Sequence, residues 1–179
     1  MTRLEELLLE RSIELGSFVL ASGVRSSYYI DCRRTTMSAE GQVLVGEAGL
    51  QAIREAGWDA NAIGGLTMGA DPVAYAIAAA SFRVPPIIDA FSVRKEAKPH
   101  GTGRRIEGNF APGQRVVIVE DVITSGGSAL QAAAAVTEAG GLVAGVLALV
   151  DREQGGRAKI EAANHKVVVI TTTTRLRLK

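Results

Sequence analysis

Apolar positions recur with a helical period at the start of the chain, where Leu4, Leu7, Leu8 and Ile13 can share one face. Thr2 with Glu5 three residues on forms a capping box, and Gly16 sits where such a helix stops. The period then shortens. Phe18-Val19-Leu20, a turn at Ser22-Gly23 and Ser27-Tyr28-Tyr29-Ile30-Asp31 predict a short hairpin-like pair. Ser38 caps a second helix that runs to about Ala56, with Gly57 at its end.

From Ala62 the pattern alternates between short apolar runs and helical stretches. Ala62 to Leu66 predicts a strand, and Asp71 with Pro72 supplies the cap and first turn of a helix ending near Phe82. Ile87 to Val93 predicts a strand, whereas Arg94 to Gly113 carries too many glycines and charges for a regular element. Arg115 to Val119 predicts a strand, Ser128 to Ala139 a helix stopped by Gly140-Gly141, and Leu142 to Val150 another strand. A short helix over Arg157 to Ala163 leads to a last strand, Lys166 to Ile170. Alternation of this kind predicts an α/β fold with a mostly parallel central sheet flanked by helices on both faces. No repeat or linker interrupts it, so residues 1–179 read as one domain.

Composition narrows the function. A net charge of +1 leaves no global basic field for nucleic acid or an anionic membrane, so neither is expected as a partner. The longest apolar stretch, Leu142 to Val150, is about half of what spans a bilayer, and the charged start Met-Thr-Arg-Leu-Glu-Glu is unlike a signal peptide. The single cysteine, Cys32, excludes an intrachain disulfide. These features predict a cytoplasmic protein.

The most informative segment is Val116-Val117-Ile118-Val119-Glu120-Asp121-Val122-Ile123-Thr124-Ser125-Gly126-Gly127-Ser128. A β-branched strand ends in two acids and a small-residue loop that opens a helix, at the edge where parallel sheets bind ligands. Backbone N–H groups from Thr124 to Ser128, the helix dipole and the hydroxyls of Thr124, Ser125 and Ser128 suit a phosphate. No lysine follows the glycines and no G-x-G-x-x-G is present, so neither usual nucleotide loop applies. Glu120 and Asp121 would repel a polyphosphate but accept hydrogen bonds from ribose hydroxyls, or face a cationic ribose or Mg²⁺. Acids on the diol and amides on the phosphate describe a ribose 5-phosphate site.

This segment resembles the signature of the phosphoribosyltransferases, which use phosphoribosyl pyrophosphate (PRPP). The resemblance implies that Glu120 and Asp121 take the ribose hydroxyls and that Val122, Ile123, Thr124, Ser125, Gly126, Gly127 and Ser128 complete the PRPP loop. It also implies the type I fold of that family, with a small N-terminal hood over about residues 1–35.

Arg94-Lys95-Glu96-Ala97-Lys98-Pro99-His100-Gly101 is similar to the catalytic loop of the orotate branch of that family. Its glycines predict a mobile loop over about 94–109. Cations there suit a pyrophosphate leaving group, which gains charge as the glycosidic bond breaks, and a closing loop excludes water. The resemblance implies that Lys95, Lys98 and His100 contact pyrophosphate with Arg94 nearby, and that Lys95, Lys98, His100 and Asp121 are the catalytic candidates. It further implies a homodimer in which the loop serves the neighbouring site. The resemblance places Arg152, in Asp151-Arg152-Glu153, and also Thr124 against the base, where a guanidinium would suit the carboxylate of orotate. Leu20-Ala21-Ser22-Gly23-Val24-Arg25-Ser26-Ser27-Tyr28-Tyr29-Ile30-Asp31 is similar to the branch's N-terminal motif at the wall of the base.

Two departures stand out. Many members carry a lysine where Ala21 stands, and many carry a basic residue in the pyrophosphate loop, here Gly64-Gly65-Leu66-Thr67-Met68-Gly69-Ala70-Asp71-Pro72. The second shifts pyrophosphate binding to Mg²⁺ and the basic loop. Mg²⁺ is expected through PRPP, with Asp121 the one protein ligand to consider. The activity implied is phosphoribosyl transfer from PRPP to orotate in pyrimidine synthesis. The alternatives are transfer to another base, such as a purine, and a PRPP-sensing regulator without catalysis.

Overall fold

The computed structural model describes residues 1–19, 25–96 and 105–178. The amphipathic start folds as α1 (Arg3–Arg11) under the expected capping box. Thr2 Oγ1 accepts from the Glu5 amide at 3.3 Å, and the Glu5 carboxylate accepts from the Thr2 amide at 2.8 Å. Leu4, Leu7 and Leu8 are buried, each contributing about 1.5–3 kcal/mol of transfer free energy. The helix stops at Ser12, not at Gly16. There the Ser12 and Thr35 hydroxyls hydrogen-bond at 2.7 Å, a tertiary contact that turns the chain before the glycine is reached.

Gly16 instead lies within β1 (Ile13–Val19), which pairs antiparallel with β2 (Arg25–Ile30). This is the expected pair, although the Ser22-Gly23 turn lies outside the described residues. The short α2 (Arg33–Thr36), which no pattern announced, leads to α3 (Ala39–Glu55). Ser38 Oγ accepts from the Gly41 amide at 3.1 Å and caps α3 as expected.

The remaining elements are β3 (Ala62–Leu66), α4 (Ala70–Arg83), β4 (Asp89–Val93), β5 (Ile106–Gly108), β6 (Arg115–Ile123), α5 (Gly127–Glu138), β7 (Leu142–Asp151), α6 (Gly156–Ala162) and β8 (Val167–Thr172). They build a six-stranded sheet in the order β5-β4-β3-β6-β7-β8. Within this sheet the pairings among the described residues are parallel except β4 with β5, a short edge strand inside the segment expected to be irregular.

Strand alternation sorts the core. Val117 and Val119 of β6 and Leu147 and Leu149 of β7 pack with α1, β2, α3 and α4. Val116 and Ile118, with Val146 and Ala148, pack with α5 and α6. Two boundaries differ from expectation. β4 begins at Asp89 rather than Ile87, because Ile87 is exposed and the Ile88 amide donates to Ser81 Oγ at 2.9 Å instead of to a ladder. β6 runs past Val119 to Ile123, because β7 pairs with it as far as Ile123↔Asp151. No helix among the described residues is long and apolar enough to cross a membrane.

Candidate active site

The strand order reverses direction between β3 and β6, and in open parallel sheets ligands bind outside the carboxyl ends at such a point. A cavity of about 790 Å³ opens there. Its floor is Leu66-Thr67-Met68-Gly69 and Asp71 after β3, with Glu120, Asp121 and Val122 of β6. Thr124 and Ser128 of the following loop, with Tyr29, Ile30, Asp31, Arg33, Lys95 and Arg152, complete the lining.

Because β6 continues through the two acids, they leave the strand on opposite sides. Asp121 sits on the α4 side, where a Cβ on Gly69 would lie 2.5 Å from its Oδ1. It also accepts from the Val122 amide at 2.9 Å. Glu120 sits on the α5 side, within reach of the Ala129 amide. Both carboxyls still line the same cavity. Burial, and then the nearby charge of Asp121, push Glu120 up to about 8. Burial likewise raises Asp121, against the pull of backbone donors and Arg33. The buried Glu120 and the half-buried Asp121, both held above their ordinary range, are poised to meet cationic or hydrogen-bond-donating ligand groups.

The loop after β6 is built as an anion cradle. Gly126 takes φ +75° and precedes α5, whose N-terminus carries no side-chain cap, so its first N–H groups are left for a ligand. Thr124, Ser125, Gly127 and Ser128 are exposed, while Gly126 is buried. Gly126 faces the carbonyl of Gly156 at the start of α6, where a Cβ would stand 2.6 Å away. The reverse is also true, because a Cβ on Gly156 would strike the Thr124 carbonyl and the Gly126 amide. Two glycines thirty positions apart in sequence thus set the height of the loop, a contact that sequence reading missed.

Arg152 follows β7 and is 6% exposed. Its guanidinium lies over the Tyr28 ring, 5.1 Å from the centroid, with one N–H group 3.5 Å from Ser26 Oγ. Its Nε is buried without a partner. A guanidinium held on an aromatic face and left with an unmatched donor suits a planar carboxylate.

The structure therefore gathers Lys95, Glu120, Asp121, Val122, Thr124, Ser128 and Arg152 around one cavity. Arg94 is turned aside: its Nε pairs with Glu107 at 3.1 Å, and its amide joins the Arg105 carbonyl. Lys98, His100 and Ala21 lie outside the described residues. Asp71 was expected to cap α4, but Gly69 holds that position without a side-chain bond. Asp71 instead faces the cavity with a buried Oδ1 that has no partner, and burial raises its pKa. Arg33 was also missed. It pairs with Asp31 at 2.7 Å and places positive charge near Asp121. Among the described residues no group of three or more His, Cys, Asp or Glu is arranged to hold a metal ion.

The phosphoribosyl transferase domain profile matches residues 42–173. Orotate phosphoribosyltransferase from Aquifex aeolicus is 47% identical over 162 residues, 89% of this chain and 87% of its own length. The crystal structure of the Mycobacterium tuberculosis orotate phosphoribosyltransferase with inorganic phosphate superposes with a TM-score of 0.84 at 40% identity, covering 97% of this chain and 96% of that one. The same enzyme in complex with PRPP superposes at 0.77 with 39% identity, covering 97% and 89%. The chain belongs to the phosphoribosyltransferase family and, within it, to the orotate phosphoribosyltransferases.

Proposed function

We propose that the protein transfers the 5-phosphoribosyl group of PRPP to N1 of orotate, giving orotidine 5-phosphate and pyrophosphate in pyrimidine synthesis. The observation that carries this reading is that one cavity is lined both by Arg152, buried over Tyr28 with an unpartnered Nε, and by Thr124 and Ser128 of the α5 cradle. The cradle is matched to a phosphate and the guanidinium to the carboxylate of a flat base.

The chain's own groups divide the work. The uncapped N–H groups of α5 and the Thr124-to-Ser128 loop take the 5-phosphate. Asp121 and Glu120 accept from the ribose hydroxyls and favour the cationic ribose that develops as the C1–oxygen bond breaks and the C1–N1 bond forms with inversion. Lys95, with Lys98 and His100 of the same segment, balances the charge gathering on pyrophosphate; Arg94, paired with Glu107, would join them only on leaving that pair. Arg152 holds the base, and Thr124 stands beside it.

Mg²⁺ fits the donor set. Asp121 and Asp71 present hard carboxylate oxygens to the cavity, and Asp71 Oδ1 has no other partner. With no cluster of three ligands among the described residues, most coordination would come from PRPP oxygens, where the ion would screen the leaving group. The reading includes a homodimer with shared sites. Exposed Val43, Phe82 and Val84 on the α3–α4 face are apolar surface of the kind that subunit contact covers. It also includes a cytoplasmic setting, which the buried free Cys32 fits.

A spectrophotometric assay tests the reading. Loss of orotate absorbance that requires both PRPP and Mg²⁺, with uracil, adenine and hypoxanthine inert, is the expected result. Turnover of a purine would overturn the role of Arg152, and inertness toward every base would leave a PRPP-binding regulator.

A further inference from the structure

The Arg152 peptide is clamped from both sides. Its N–H donates to the Ile123 carbonyl of β6 at 3.0 Å, and its carbonyl accepts from Thr173 Oγ1 at 3.2 Å. The same Thr173 hydroxyl lies 2.8 Å from Glu153 Oε2, and the Thr173 amide donates to the Asp151 carbonyl at 3.0 Å. Glu153 Oε2 accepts two further bonds from the C-terminal turn, from the Thr174 amide at 2.8 Å and the Thr174 hydroxyl at 2.7 Å.

Glu153 holds φ +54°, a left-handed backbone that a residue with a Cβ adopts only when its surroundings insist. The Asp151 carboxylate, accepting from the Glu153 amide at 2.7 Å, and the two Thr174 donors supply that insistence, with the single Thr173 hydroxyl proton shared between Glu153 Oε2 and the Arg152 carbonyl. The turn is itself fixed to the body of the protein. Thr173 is fully buried and Leu176 nearly so. Arg175 pairs with Glu5 of α1 at 2.8 Å, and the Thr171 hydroxyl donates to the same carboxylate at 2.9 Å.

From these contacts we infer that Thr173 and Glu153 are positioning residues for the base site, setting the Arg152 guanidinium through its backbone; the inference rests on Arg152 being the group that binds orotate. The lever is geometric. A guanidinium must meet a carboxylate within about 0.5 Å to make both bonds of the fork, and a long side chain magnifies any rotation at its root. Neither positioning residue lines the cavity, so neither touches substrate. Removing the Thr173 hydroxyl or the Glu153 charge should loosen the base subsite while the α5 cradle, on another strand and loop, keeps its grip on PRPP.

Thr173→Val, Thr173→Ser and Glu153→Gln, measured beside Arg152→Ala, test this through separate KM values for orotate and PRPP and through thermal midpoints. Thr173→Val and Glu153→Gln should each raise the orotate KM about 5-fold or more, leave the PRPP KM within about 2-fold, and Thr173→Ser should restore the wild-type value. Glu153 is exposed, so its variant folds even if the buried valine is poorly tolerated. An unchanged orotate KM in Glu153→Gln, or equal rises in both KM values, would overturn the inference. Arg152→Ala separates the two readings. If it raises the orotate KM while the positioning variants do not, only the inference fails; if it leaves the orotate KM alone, the base assignment fails with it.

Discussion

Gly69 and Asp121 stand so close that a Cβ on the glycine would lie 2.5 Å from one carboxylate oxygen and 2.7 Å from the other. Gly69 has φ −63°, an ordinary helical value, so its backbone accepts alanine without strain. The acid must yield instead, and its bond to the Val122 amide breaks first. Gly69→Ala is therefore expected to raise the PRPP KM about 10-fold with little change in thermal midpoint. Unaltered PRPP kinetics would remove Asp121 from ribose recognition.

The two acids predict a pH dependence with a definite sign. Glu120 sits at about 8 because of burial and the Asp121 charge, so the free protein carries it neutral at pH 7. A diol donating hydrogen bonds, or a cation, favours the charged form. PRPP binding should thus release a proton, and kcat/KM for PRPP should rise as pH climbs through about 8. In Glu120→Gln that rise disappears.

Stability runs the other way. The folded pKa of Glu120 lies above the ordinary 4.5, so its contribution is complete below that value and is lost as pH rises through about 8. Glu120→Gln should melt above wild type at pH 9, by a gain that a shift of this size puts at no more than about 5 kcal/mol, with the difference closing near pH 4. A midpoint difference independent of pH would show that this carboxyl is not buried as described.

The Gly126–Gly156 contact makes the cradle depend on a helix outside it. A Cβ on Gly156 meets backbone atoms of Thr124 and Gly126 rather than flexible side-chain ends, so the loop itself must move. Gly156→Ala is expected to weaken PRPP binding about 10- to 100-fold and to cost about 1–3 kcal/mol of stability. Orotate binding, measured by calorimetry in the absence of PRPP, should change far less.

What could be read in the sequence follows from the range of the interactions. The Thr2–Glu5 box and the Ser38 cap are made within three residues, so the letters alone carry them. The end of β6 was misplaced because acids look like strand terminators. Its true end is set by pairing with β7, some thirty residues on. α2 and β5 are too short to show a period and exist through contacts with other elements, as Ser12–Thr35 and the β4 edge illustrate. At the site, Glu120, Asp121 and the α5 loop lie within one motif and were legible. The position of Arg152 came through family resemblance alone, because its contact with Tyr28 joins residues 124 positions apart. Asp71 had a local explanation as a cap, and that explanation hid its place in the cavity.

Asp71 completes the argument, because it sets stability against function. Its Oδ1 is buried without a partner and burial raises its pKa, a cost to the charged form that the hydrogen bond with the Ser92 side chain offsets only in part. The folded pKa lies above the ordinary 3.8, so that cost is absent in acid and grows as pH rises past that value. Asp71→Asn should therefore raise the thermal midpoint of the ligand-free protein at pH 7 and not at pH 3. If the carboxylate is kept because it faces Mg²⁺ on the pyrophosphate of PRPP, the same substitution should raise the PRPP KM about 10-fold and increase the Mg²⁺ concentration needed for half-maximal rate. A stabilised variant with unchanged PRPP and Mg²⁺ dependence would show that the loop after β3 binds pyrophosphate through its backbone, with no help from this acid.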